Sequence, residues 1–114
     1  MRYIPSRGDI VWLTFNPQSG HEQAGRRPAF VVSPYSYNKK VGLFLACPIT
    51  SHVKGYPFEV RISTTAGIDG VILADQVKSL DWKARNAEFV EASPQDITDE
   101  VITKMLLLIE AASL

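Results

Sequence analysis

The sequence predicts a mainly β domain, a small antiparallel barrel closed by one C-terminal amphipathic helix. Three observations predict it. Short runs rich in Val, Ile, Phe, Tyr and Trp alternate with clusters of Gly, Pro, Asn, Asp and Ser. Near the C-terminus the apolar spacing changes from every second residue to every third and fourth. The chain has 114 residues, 46% of them hydrophobic and 10% aromatic, which suffices for one core without a staple. Closing short strands into a barrel removes the unpaired edges they would otherwise expose. A single domain over 1–114 is expected, with the barrel at about 8–92 and the helix at about 94–112.

Residues 9–15 (DIVWLTF) open after Gly8 and read as the first strand. Residues 16–26 form a polar loop punctuated by Pro17, Gly20 and Gly25. Residues 27–33 (RPAFVVS) read as a second strand, in which Pro28 must sit at the start or on an edge because it has no N–H for the ladder. Residues 34–40 read as a turn or a single helical turn. Residues 41–50 (VGLFLACPIT) are nearly all apolar, as in a strand buried on both faces. After a polar loop at 51–57, residues 58–62 alternate and predict a strand with one wet face. Residues 70–74 and 76–80 flank Asp75 as two further candidates, and 87–92 is a weaker last strand. In the tail, Ser93 reads as an N-cap, Pro94 as the first helical residue and Asp96 as the capping-box acid. Ile97, Val101, Met105 and Leu108 then mark a broad apolar face, and Asp96, Asp99 and Glu100 suit the positive end of the helix dipole.

Several function classes are disfavoured. Cys47 is the single cysteine, so neither a disulfide nor a cysteine-based zinc site is available within the chain, and a reducing compartment is expected. The N-terminus lacks the apolar stretch of a signal peptide, and the longest apolar run, 105–109, is too short to span a bilayer. A soluble cytoplasmic protein without membrane contact is expected. The formal charge is zero but uneven. Residues 1–85 hold 11 Lys/Arg against 6 Asp/Glu, and residues 86–114 hold 1 against 6, giving a body of +5 and a tail of −5. A basic body suits a polyanionic partner, although chance asymmetry on a solvated surface is the competing reading.

Polar residues gather in two loops, one with His21, Glu22, Gln23, Arg26 and Arg27, the other with Thr50, Ser51, His52, Lys54 and Tyr56. Neither matches a metal site, a phosphate-binding loop or a dinucleotide fingerprint, and no cofactor is expected. Metal-free RNA cleavage needs a base for the 2′-hydroxyl, an acid for the leaving oxygen and positive charge on the phosphorane. Arg26 and Arg27 suit the charge, since a guanidinium grips two phosphate oxygens at once. Thr50 can donate to the same oxygens, and Glu22, His21 and His52 are candidate proton-transfer groups. Each also has a plainer role: paired arginines at a strand start are commonly surface residues, a threonine at a strand end is commonly a turn residue, and Glu22 can simply pair with an arginine. Tyr35, Tyr37 and Tyr56 can stack bases or serve as core and rim, and Trp12 and Trp82 are assigned to packing.

Gly8-Asp9-Ile10-Val11-Trp12, Pro17 and Gly20-His21-Glu22-Gln23-Ala24-Gly25-Arg26-Arg27-Pro28 together resemble the N-terminal signature of the MazF/PemK/Kid toxins. Val32-Ser33-Pro34, Tyr37-Asn38, Pro48-Ile49-Thr50, Lys54-Gly55-Tyr56-Pro57-Phe58-Glu59-Val60, Ala74-Asp75-Gln76-Val77-Lys78-Ser79 and Trp82-Lys83-Ala84-Arg85 follow in order. The likeness covers residues 4–85 and looks like the MazF branch.

The resemblance implies an SH3-like barrel of the CcdB/PemK type, working as a homodimer. It also implies sequence-specific, metal- and ribosome-independent cleavage of single-stranded mRNA, leaving a 2′,3′-cyclic phosphate and a 5′-hydroxyl. A MazE-like antitoxin would block the groove with an acidic segment, and operator DNA would be met only through that antitoxin. By position, Arg27, Thr50 and Glu22 match the family's key residues. His21, Gln23, Arg26, Ser51, His52, Lys54, Tyr56 and Lys78 are expected at the substrate surface. Leu73 stands where the Kid branch has a catalytic arginine, so Asp75 is expected to be structural. An arginine is a poor general base, which leaves that role to Glu22 or His21. A gyrase-poisoning toxin of the same fold would carry a Trp-Gly-Ile tip where this chain has Ala112-Ser113-Leu114. A binding module without catalysis is the other alternative.

Overall fold

The computed structural model describes residues 2–14 and 25–110. Along the described chain run β1 (Asp9–Thr14), β2 (Arg26–Val31), α1 (Tyr35–Val41), β3 (Leu43–Thr50), β4 (Glu59–Ser63), β5 (Asp69–Leu73), β6 (Lys78–Asp81), β7 (Glu88–Ala92) and α2 (Gln95–Glu110). The strands form one antiparallel sheet in the order β4-β5-β3-β2-β1-β7, with β6 also paired to β3. The sheet curls into a half-barrel. Among the described residues its end strands β4 and β7 do not pair, and α2 packs beside β4 onto the core.

Period-two alternation puts neighbouring residues of the central strands on opposite faces. Ile10, Phe30, Cys47, Ile49, Val60 and Ile72 bury against Val101 and Met105 of α2. Val11, Leu13, Ala29, Val31, Phe44 and Ala46 bury on the other face against Trp82, with Tyr3 and Ile4 packed beside them. The apolar run of β3 follows only in part from this double burial, since Phe44 and Ala46 bury on one face and Cys47 and Ile49 on the other while Leu45 is left exposed. Cys47 is fully buried. Burial first, then the negative charge of Asp75, pushes its thiol up to about 12. The thiol therefore stays protonated, and a disulfide reagent at pH 8 is expected to label Cys47 only after denaturation. Rapid labelling of the native protein would contradict this burial.

Two segments differ from expectation. Residues 35–41 form α1, longer than the turn or single helical turn expected at 34–40 and including Val41, expected to open the next strand, because Asn38 anchors the helix from within. The Asn38 amide nitrogen donates to the carbonyls of Pro5 (2.8 Å) and Ser33 (3.0 Å), and its Oδ1 accepts from the Ser33 hydroxyl. Its own carbonyl accepts from Trp82 Nε1 (3.0 Å) and from the N–H of Gly42 (3.0 Å), whose φ of 83° ends the helix. Asn38→Leu strands these buried groups. It is expected to destabilise the protein by roughly 3 kcal/mol, read as a lower urea midpoint. In α2, Ser93 is not the N-cap. Its hydroxyl donates to the Gly8 carbonyl (2.7 Å), and the Pro94 carbonyl accepts the first helical N–H groups, from Ile97 and Thr98. Asp96 accepts from the N–H of Ile97 (3.0 Å) instead of reaching back to the preceding turn.

Candidate active site

The site begins where two strands part. β2 pairs with β3 through Val31↔Ala46, Phe30↔Cys47 and Ala29↔Pro48, and there the ladder stops. Pro48 has no N–H to continue it, and Pro28 follows on the facing strand. β3 then pairs with β5 instead, through Ile49↔Ile72 and Thr50↔Val71. Carried two residues further, the β2–β3 register would set Arg27 opposite Thr50, so these residues flank the opening. A cleft of about 330 Å³ fills it, lined by Trp12, Arg27, Pro28, Ile49, Thr50, Ser51 and the β4–β5 turn from Ala66 to Asp69.

Arg27 is exposed, and among the described residues its guanidinium has no hydrogen-bond or ion-pair partner. The Thr50 hydroxyl accepts the N–H of His52 (3.1 Å). With a lone pair engaged, its proton is the part left to offer an incoming oxygen. Gly70 fixes Thr50 from behind. A Cβ at position 70 would lie 2.1 Å from the Thr50 carbonyl oxygen, so only glycine lets β5 pass this close.

The far wall is held by Glu91 of β7, which accepts from the Thr65 N–H (3.1 Å) and hydroxyl (2.6 Å). Thr64 closes the same turn on Ile68 through both its backbone and its hydroxyl. This wall places Asp69 in the cleft, paired weakly with Arg61 at 3.4 Å. Sequence reading missed Asp69; Trp12, assigned to packing, does pack against the core, and its partly exposed side also forms cleft wall. An Asp-Gly pair opening a strand was the available signal for Asp69.

A second cleft of about 210 Å³ lies on the other side of Thr50, lined by Thr50, His52, Lys54, Tyr56, Glu59, Leu73 and Gln76. The Tyr56 hydroxyl donates to Asp75 (2.9 Å). Partial burial, then this hydrogen bond, raises the Tyr56 phenol above its ordinary range, so it stays a donor. Asp75 therefore positions Tyr56. The structure thus brings Arg27, Thr50 and Ser51 to one cleft and Thr50, His52, Lys54 and Tyr56 to the adjoining one.

Arg26 and Lys78, expected at the substrate surface, line neither cleft. The Arg26 guanidinium donates to the Thr14 hydroxyl (2.9 Å), the carbonyls of Arg85 (3.4 Å) and Asn86 (3.1 Å), and Glu88 (3.0 Å). It clamps the start of β2 to the β6–β7 turn, because alternation along the strand turns it away from the side Arg27 takes. Lys78 pairs in register with Ala46, four residues back along β3 from Thr50. His21, Glu22 and Gln23 lie outside the described residues.

Comparison with known proteins gives a consistent result. A sequence model of the family described as PemK-like, MazF-like toxin of type II toxin–antitoxin system matches residues 6–109. The endoribonuclease toxin MazF of Escherichia coli K12 is 56% identical over 86 residues, 75% of this chain and 77% of that protein. The crystal structure of MazF (Form-I) from Deinococcus radiodurans superposes with a TM-score of 0.83 at 52% identity, covering 95% of this chain and 98% of that one. A chain of the MazE-MazF (Form-II) crystal structure from the same organism gives 0.85 at 46% identity, covering 96% and 98%.

Proposed function

The chain belongs to the PemK-like, MazF-like toxins of type II toxin–antitoxin systems, and on that premise we propose that it is a metal-independent, sequence-specific endoribonuclease whose reaction centre is the Arg27–Thr50 cleft. The observation that carries this reading is the pairing of an exposed guanidinium, unpartnered among the described residues, with a hydroxyl whose proton is left to donate, on facing sides of one open cleft.

The chemistry follows from the substrate. The 2′-oxygen attacks phosphorus, the P–O5′ bond breaks, and the products are a 2′,3′-cyclic phosphate and a 5′-hydroxyl. Negative charge grows on the non-bridging oxygens as the phosphorane forms. The Arg27 guanidinium binds two such oxygens, and Thr50 donates to one of them. The 2′-hydroxyl loses its proton to Glu22 or His21, and the leaving 5′-oxygen takes one from solvent water, whose hydroxide the protonated base then neutralises. His52, Lys54 and Tyr56 hold the flanking nucleotide by stacking and phosphate attraction, which suits single strands whose bases are free.

The antitoxin partner is read from the relatives, since the Deinococcus radiodurans neighbours include MazE-MazF complexes. An acidic MazE-like segment fits the net charge of +5 on residues 1–85. The reading also includes a homodimer with two clefts, binding operator DNA only through the antitoxin, in the cytoplasm of a bacterium.

The test uses the purified protein and a long mixed-sequence transcript in excess chelator. Cuts should recur at one short word and carry 5′-hydroxyl and cyclic-phosphate ends. An intact transcript, or cutting that depends on added divalent metal, would overturn the assignment.

A further inference from the structure

We propose that Glu59 is a positioning residue whose carboxylate shapes the second cleft and thereby sets preference for the nucleotide beside the cut. The inference rests on the reading above, in which Thr50 touches the scissile phosphate.

Glu59 opens β4 with only 9% of its surface exposed. Buried carboxylates are uncommon and need strong partners. Here the partners are backbone. One carboxylate oxygen accepts the N–H of Lys54 (2.9 Å) and the other accepts the N–H of Gly55 (2.8 Å). Successive N–H groups converging on one anion form a nest, and Gly55 closes it with a φ of 84°. Elsewhere such nests take up phosphates; this one is filled by the chain's own carboxylate.

Glu59 itself is fixed from three sides. Its N–H donates to the Tyr56 carbonyl (3.2 Å), it stands opposite Leu73 of β5, and Lys104 of α2 donates to its carbonyl (2.9 Å). The loop it grips contributes nothing to the core, since residues 51–55 are all exposed, Val53 included. What the loop does present is His52, Lys54 and Tyr56, around a cleft that Thr50 shares with the reaction centre. A carboxylate holding a coreless loop rigid by both oxygens therefore sets the shape of that cleft. A cleft lined by a lysine, a tyrosine and the Gln76 amide suits a nucleotide, with phosphate toward Lys54 and base toward Tyr56 and Gln76, better than a bare anion.

The experiment compares the full-length protein with Glu59→Gln and Gly55→Ala. Glutamine keeps the size but sets an NH2 group against one of the two N–H donors. Alanine at position 55 meets open space, so it perturbs only the nest's left-handed backbone. Both variants are expected to raise KM for RNA by about tenfold, the size of one lost charge-assisted hydrogen bond. They should change kcat by less than about twofold and relax the mapped cleavage word at one flanking position. Ile102→Val, which trims a half-buried side chain of α2 packed against the core, serves as a mildly destabilised comparator and should alter neither KM nor the word. If Glu59→Gln does not fold, Gly55→Ala decides the matter alone. Unchanged KM and word, or a loss confined to kcat or to thermal stability, would overturn the inference. An Arg27→Ala variant separates the two readings. If Arg27→Ala is inactive while both loop variants behave as wild type, only the role of Glu59 falls; if wild type cuts no RNA, the function itself falls.

Discussion

Arg27→Ala is expected to leave the half-barrel folded and to reduce RNA cleavage at least about a thousandfold, or roughly 4 kcal/mol of transition-state stabilisation. Stability should change by no more than about 0.5 kcal/mol, because Arg27 is exposed and no described residue binds its guanidinium. Arg27→Lys should recover little, since a point charge cannot grip two oxygens of one phosphate. Its neighbour provides the contrast. Arg26 donates to Thr14, two carbonyls and Glu88. Arg26→Ala should therefore lower stability by about 1–2 kcal/mol while cleavage at low temperature persists. The ion pair with Glu88 contributes little of that, since Glu88 is 72% exposed. Thermal unfolding and single-turnover cleavage on both variants would check the pair. Cleavage by Arg27→Ala within tenfold of wild type would remove the guanidinium from the mechanism.

The adjacent arginines also show what the sequence can convey. Strand periodicity says that one of them faces in and the other out, but not which, because the answer depends on what β7 and the β6–β7 turn bring alongside. The strands themselves were legible. Alternation in β4 is a direct consequence of burial on one face, the apolar run of β3 reflects burial on both faces except at the exposed Leu45, and the three- and four-residue steps of α2 follow from its seat on the sheet. Local chemistry misled where tertiary partners prevailed. Ser93 has the composition of a cap, yet the Gly8 carbonyl is nearer need of its hydroxyl. Asn38 looks like a turn residue, yet its amide organises a buried junction of Pro5, Ser33 and Trp82.

The candidate site was legible through resemblance more than through pattern. Arg27 and Thr50 stand 23 positions apart in the chain, and their approach follows from the strand register that Ala29↔Pro48 ends. No single-sequence rule yields that register. Asp69 and Trp12 reach the cleft only because β5 and β1 flank the opening. Glu59 was visible as part of a motif, but its hold on two backbone N–H groups arises only in the folded loop.

Gly70→Ala should be the most damaging small substitution near the cleft. The added Cβ would lie 2.1 Å from the Thr50 carbonyl oxygen, 2.8 Å from its carbon and 3.0 Å from the Ser51 Cα. All three atoms are backbone, so no rotamer change relieves the clash. β5 must move off β3 at the Thr50↔Val71 pair, the last of that ladder. Overpacking of this kind costs about 1–3 kcal/mol. A shift of Thr50 by about 1 Å is worth roughly a further hundredfold in rate, because the hydroxyl acts only at hydrogen-bond distance from the phosphate. Gly42→Ala calibrates the result. Gly42 has a φ of 83° with open space around it and caps α1, lining neither cleft. Alanine there should lower stability by about 1–2 kcal/mol through backbone strain alone and leave cleavage intact. The measurement is kcat at a temperature where both variants are fully folded. Equal activity in the two would mean that β5 does not hold the threonine in place, and the close passage behind Thr50 would lose its functional meaning.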